Sequence, residues 1–241
     1  MVEKLLVTAD GSQIHYDLYP KAAPTVVLLH GNGGNRHYFD RQLPIYQQMF
    51  QVIVVDSRGQ GLSTNHAATL SFDLMAHDLY ELLQQEQLKT VSIVGFSDGA
   101  NYAMVFAVRF AKLVDKLVLN AGNVSLSGIG ALTHAFDVTR WYGNQLVGKV
   151  VPVFKQRAAV QSLLVKPVPL AWDELQKIQA KTLVIAGERD AIKVTETAQI
   201  AEAIPDSEFM LIPTARHSFG RQHPQLFAQM ATNFIEMQDT K

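Results

Sequence analysis

The most apolar stretches of this chain run unbroken and then stop at polar, mostly glycine-rich punctuation. They are residues 25–29 (TVVLL), 51–56 (QVIVVD), 90–95 (TVSIVG), 116–120 (KLVLN) and 182–187 (TLVIAG). A strand with one wet face alternates apolar and polar residues, whereas a strand buried on both faces does not. These runs therefore predict a mostly parallel sheet with helices covering both faces. The intervening segments supply those helices. Residues 72–87 place Leu74, Leu79, Leu82 and Leu83 at helical spacing behind Asp73. Residues 98–110, 194–203 and 225–237 read the same way, and 208–212 read as a further strand. Near the start, 4–8 and 13–19 flank Asp10-Gly11, a hairpin signal that adds antiparallel strands at one edge. A helix is also expected over 38–49, with Pro44 an awkward member.

The rhythm lapses between residues 123 and about 178, where Pro152, Pro167 and Pro169 interrupt aromatic and amphipathic pieces. A short, largely helical insertion lying over the sheet as a lid is expected there. The whole of 1–241 is then a single α/β domain. Its 241 residues and 48% hydrophobic content suffice for one large core.

Composition narrows the function. A formal net charge of −1 gives no general attraction to nucleic acid or to anionic membranes, so neither is expected as a partner. The chain has no cysteine, which removes disulfides, thiolate nucleophiles and cysteine-ligated metals. The first residues lack a long apolar leader core, and no apolar run approaches the roughly 18 residues of a membrane span. A soluble, cytoplasmic protein is the expectation; the oligomeric state is not legible. His15, His66, His77 and His134 are scattered and make no metal-ligand pattern, so neither metal nor cofactor is expected.

The strand at 90–95 passes into a helix through Gly95-Phe96-Ser97-Asp98-Gly99. In sheets of this kind, ligands gather beyond the carboxyl ends of the strands. Flanking glycines permit a turn too tight for side chains, which lifts the Ser97 hydroxyl above the sheet. The helix N-terminus behind it offers unpaired N–H groups to the same place. That arrangement suits a nucleophile attacking a carbonyl carbon. A serine that merely caps the helix is the blander alternative.

The pattern resembles the nucleophile elbow of the α/β-hydrolase fold. His30-Gly31-Asn32-Gly33-Gly34 resembles that family's HGxxG oxyanion loop. Residues 56–63, DSRGQGLS, resemble its D-x-R-G-x-G-x-S loop, and the chain order Ser, acid, His agrees as well. The resemblance covers essentially the whole chain, with 123–178 least matched. It implies a Ser97–His217–Asp190 triad, with Glu188 as runner-up acid, and an oxyanion hole from the backbone N–H groups of Asn32 and Asp98. The Asp98 carboxylate is expected to point away from the developing negative charge. His30 is expected to buttress the oxyanion loop, and Asp56 and Arg58 to fix their own loop. His223 is read as a surface residue at a helix start. The methionines are read as packing. Phe136, Trp141 and Leu146 are candidates for the pocket wall.

The implied activity is hydrolysis of an ester-type bond in a small or medium, largely uncharged acyl substrate, because the lid is rich in apolar residues and poor in acids. A lactonase, a C–C bond hydrolase and a non-catalytic small-molecule receptor are the alternatives on the same fold.

Overall fold

The computed structural model describes residues 1–237. Eight strands form one sheet in the order β1-β2-β4-β3-β5-β6-β7-β8. They are β1 (Val2–Val7), β2 (Gln13–Tyr19), β3 (Thr25–Leu29), β4 (Gln51–Val55), β5 (Val91–Phe96), β6 (Val114–Asn120), β7 (Lys181–Arg189) and β8 (Ser207–Arg216). β1 pairs antiparallel with β2, and β2 antiparallel with β4. Every later pairing is parallel.

The unbroken apolar runs have a simple packing cause. Val27, Leu29, Ile53, Val55, Ile93, Leu117 and Leu119 pack on one face against α2 (Phe72–Gln85), α3 (Asp98–Arg109) and α6 (Val194–Ala203). Their neighbours Val26, Leu28, Val52, Val54, Val94 and Val118 pack on the other, against α1 (Leu43–Met49) and α8 (Pro224–Glu236). Successive side chains point to opposite faces, so both phases of each strand must be apolar. Each such side chain contributes about 1.5–3 kcal/mol by leaving water. The edge strand β8 departs from this, with Phe209, Met210 and Leu211 exposed.

The expected helix over 38–49 is divided. Arg36–Phe39 forms a 3₁₀ turn, and α1 begins only at Leu43. Pro44 sits in the first turn of α1, where its missing N–H has no helical partner to lose.

The segment between β6 and β7 is indeed largely helical. It holds α4 (Ala131–Val147), α5 (Pro152–Gln161) and a 3₁₀ turn at Trp172–Lys177. Its start is anchored by Glu196 of α6, whose carboxylate accepts from the backbone N–H groups of Val124 and Ser125 and from the Ser125 hydroxyl. Among the described residues no helix is long and apolar enough to cross a membrane.

Candidate active site

Ser97 stands between β5 and α3 with φ 54° and ψ −121°, a conformation that costs a non-glycine residue about 1–3 kcal/mol. Hydrogen bonds hold it there. Its N–H donates to the Asn120 carbonyl at 2.8 Å, and its own carbonyl accepts from Ala100 and Asn101. The flanking glycines are required by contact. A Cβ on Gly95 would lie 2.4 Å from the Gly99 carbonyl oxygen, and one on Gly99 would lie 2.0 Å from that of Leu29. The elbow exists because strand and helix backbones approach closer than any side chain permits.

Three side chains distant in sequence meet here. His217 Nε2 lies 3.0 Å from Ser97 Oγ, and His217 Nδ1 lies 2.6 Å from Asp190 Oδ1. A carboxylate only accepts, so Nδ1 carries the hydrogen and Nε2 is left to accept from the serine hydroxyl. The Asp190 side chain is almost fully enclosed, and its Oδ1 also accepts from the Ile192 N–H at 2.9 Å. Glu188, the other carboxylate of that loop, turns elsewhere and accepts from the Thr214 N–H. This bond braces a residue held at φ 61°.

The N–H groups of Asn32 and Asp98 have no hydrogen-bond partner among the described residues, and both residues line the cavity at Ser97. The loop at residues 30–34 is fixed by His30. Ser57 N–H donates to His30 Nε2, so Nδ1 carries the hydrogen and donates to the Gly31 carbonyl at 2.7 Å. His30 is fully buried, and this burial pushes its pKa down, keeping the ring neutral. Gly33 N–H donates to Gln60 Oε1, joining the loop to residues 56–63. Asp56 accepts from the backbone N–H groups of Arg36 and Leu62 and from the Arg36 guanidinium. Arg58 is buried and grips Asp78 through two parallel bonds of 2.7 and 2.6 Å. These charges therefore serve the loop and not the cavity.

The Asp98 side chain is buried, and Oδ2 accepts from Asn32 Nδ2 at 2.7 Å. Asn32 Nδ2 also donates to the Val160 carbonyl of α5 at 2.9 Å. Burial raises the Asp98 carboxyl to about 6, against the lowering effects of Asn32 and of His217.

The cavity has a volume of about 410 Å³. Its walls correct the expected pocket residues. Phe136 and Leu146 are 60% and 67% exposed on the outer side of α4, and Trp141 lines a separate groove with Lys149 and Lys155. None of the three borders the Ser97 cavity. The insertion instead contributes Ile129, Thr133, Asp137 and Leu164. An apolar helical stripe was legible, but which way it faced was not. Tyr38 and Arg221 were also missed; Tyr38 stacks on Phe96 with ring centroids 4.7 Å apart. Among the described residues no cluster of three or more His, Cys, Asp or Glu side chains is placed to hold a metal ion.

Fold and comparison agree at this point. A family model described as alpha/beta hydrolase fold matches residues 24–151, more than half of the chain. The chain belongs to the α/β-hydrolase fold family. Among curated relatives, the human serine hydrolase BPHL is 23% identical over 252 residues, covering 95% of this chain and 85% of its own. Among solved structures, MGS-M2, an α/β-hydrolase enzyme from a Medee basin deep-sea metagenome library, has a TM-score of 0.87 at 14% identity, with 99% of each chain covered. The enol-lactonase of Burkholderia xenovorans LB400 has a TM-score of 0.78 at 17% identity, covering 97% of this chain and 100% of its own.

Proposed function

We propose that the protein is a serine hydrolase that cleaves an ester-type bond of a small or medium acyl substrate through an acyl-enzyme. The observation that carries this reading is the unbroken chain of hydrogen bonds from Ser97 Oγ through His217 to Asp190. His217 Nε2 takes the hydroxyl proton as Ser97 Oγ bonds to the carbonyl carbon. Asp190 holds the ring in the required tautomer and stabilises the imidazolium. The tetrahedral oxyanion is met by the N–H groups of Asn32 and Asp98, each worth about 2.7–4 kcal/mol in such sites. The carbon–oxygen bond then breaks, and the proton on Nε2 passes to the leaving alcohol. Water repeats the sequence on the acyl-enzyme and frees Ser97.

The segment between β6 and β7 acts as a lid, since Thr133 and Asp137 of α4, with Ile129 before it and Leu164 after α5, wall the cavity at Ser97. Relatives that include a serine hydrolase and an enol-lactonase support a hydrolase and leave the ester or lactone character to this site. The test is turnover of p-nitrophenyl esters by Ser97→Ala. Removing one small side chain from the elbow should leave the fold intact and the rate at the uncatalysed level. Activity persisting above a few per cent of wild type would overturn the assignment.

A further inference from the structure

Of the apolar residues of the insertion, Phe136, Tyr142 and Leu146 face outward, and Ile129 and Leu164 wall the Ser97 cavity. Val147, Val153, Val160 and Leu164 line a neighbouring cleft that also carries cationic side chains. This larger cleft has a volume of about 850 Å³ and shares Asn32, Gly33, Gly34 and Leu164 with the Ser97 cavity as a common wall. An arm attached to a carbonyl held at Ser97 would reach the cleft by passing Asn32, whose Nδ2 spans from Asp98 Oδ2 to the Val160 carbonyl.

Arg140 from α4 and Arg157 from α5 line this cleft, and no carboxylate does. Its amide side chains are already engaged. Gln60 accepts from Gly33, Gln156 donates to the Gly59 carbonyl, and Asn144 donates to Gln161. Neither guanidinium has a direct hydrogen bond or salt bridge among the described residues; both residues are exposed, and the Arg140 charge is felt by Asp137 one turn earlier on α4. Each lies over an aromatic ring instead, Arg140 at 5.4 Å from the centroid of Phe136 and Arg157 at 5.1 Å from that of Phe154. Stacking occupies the flat face of a guanidinium and leaves its in-plane N–H donors free, in the fork geometry that suits carboxylate and phosphate. The bias extends along the insertion: from 131 to 166 it carries Arg140, Lys149, Lys155, Arg157 and Lys166 against Asp137 alone. The net charge of −1 for the whole chain conceals this segregation.

We propose that the cleft is an anion subsite, and that the substrate is an acyl compound with a carboxylate or phosphate on the arm beyond the scissile carbonyl. This deepens the serine-hydrolase reading and rests on it, but it can fail separately.

The test compares p-nitrophenyl monoesters of adipic, suberic and sebacic acid with their methyl-capped neutral counterparts and with phosphonate-ended analogues. At low salt, the best anionic probe should exceed its neutral counterpart in kcat/KM by about tenfold, and the better of carboxylate and phosphonate names the source. Added salt should erode that ratio. In an Arg140→Gln/Arg157→Gln double variant it should fall to about one, with the neutral probe within about twofold of wild type. A ratio near or below one in wild type, or one that survives in the double variant, overturns the subsite. A readout independent of turnover is calorimetric binding of monomethyl suberate to Ser97→Ala. Binding should weaken about tenfold when both arginines are also replaced; unchanged or undetectable binding counts against the subsite even if no ester is hydrolysed. Turnover of neutral probes alone would leave the serine-hydrolase reading standing and remove only the anion.

Discussion

Replacing the Asp98 carboxyl with an amide, Asp98→Asn, should remove a pH-dependent penalty from the folded state. The carboxyl is buried, and burial holds it at about 6 against an ordinary 3.8. Between those two values the unfolded chain has released the proton and the folded chain keeps it. The folded state then binds more protons, so stability falls as pH rises through this window. Above about pH 6 the loss levels off at about 3 kcal/mol, from about 1.4 kcal/mol for each tenfold change in the proton equilibrium. The amide of the variant carries no such penalty, and its oxygen can still accept from Asn32 Nδ2. At roughly 2–4 °C per kcal/mol for a chain of this size, Asp98→Asn should gain about 5–10 °C in Tm relative to wild type between pH 4 and pH 7.5. The assay is paired calorimetric scans across that range, read as a difference so that other titrations cancel. Parallel Tm curves would refute the reasoning, because they would mean that Asp98 keeps its ordinary affinity for protons when buried.

Three further outcomes follow from the same geometry. Asp190→Asn should lower kcat on p-nitrophenyl esters by orders of magnitude by disturbing the His217 tautomer, whereas Glu188→Gln, whose amide oxygen can still accept from the Thr214 N–H, should do far less; a reversed pattern would move the acid to Glu188. Gly99→Ala forces a Cβ to within 2.0 Å of a backbone oxygen and should cost about 3 kcal/mol or more in urea unfolding, so a variant of wild-type stability would contradict the close approach of α3 to β3. Because no donor cluster for a metal exists among the described residues, ester turnover should survive EDTA, and loss restored by a divalent ion would count against the triad.

The parts of this molecule legible in sequence are those set by local rules. β3, β4 and β5 announce burial on both faces because Val26 and Val27, or Val54 and Val55, point to opposite cores. The elbow is legible because only glycine satisfies the contacts at 95 and 99. His217 and Asp190 were found by their places after β8 and β7, since the pairing itself spans 27 residues and only tertiary structure closes it. The insertion was read less well for a physical reason. The period of α4 gives an apolar stripe, but a stripe does not say whether the body of the protein or solvent receives it. Here Leu132, Phe136, Tyr142 and Leu146 are exposed, while Thr133 and Asp137 turn to the cavity. The Asp98–Asn32 hydrogen bond was not legible in the sequence, because the partners lie 66 residues apart and the bond is not a local property.

The most direct measurement of the central claim is covalent capture of the nucleophile. A fluorophosphonate forms a phosphorus–oxygen bond with a serine only where a base removes the hydroxyl proton, and fluoride departs. Intact-mass analysis followed by peptide mapping should find one adduct, on Ser97, formed within minutes. It should be absent from Ser97→Ala and strongly slowed in His217→Ala. An adduct on another residue, no adduct at all, or labelling of Ser97 at the same rate without His217 would contradict the account.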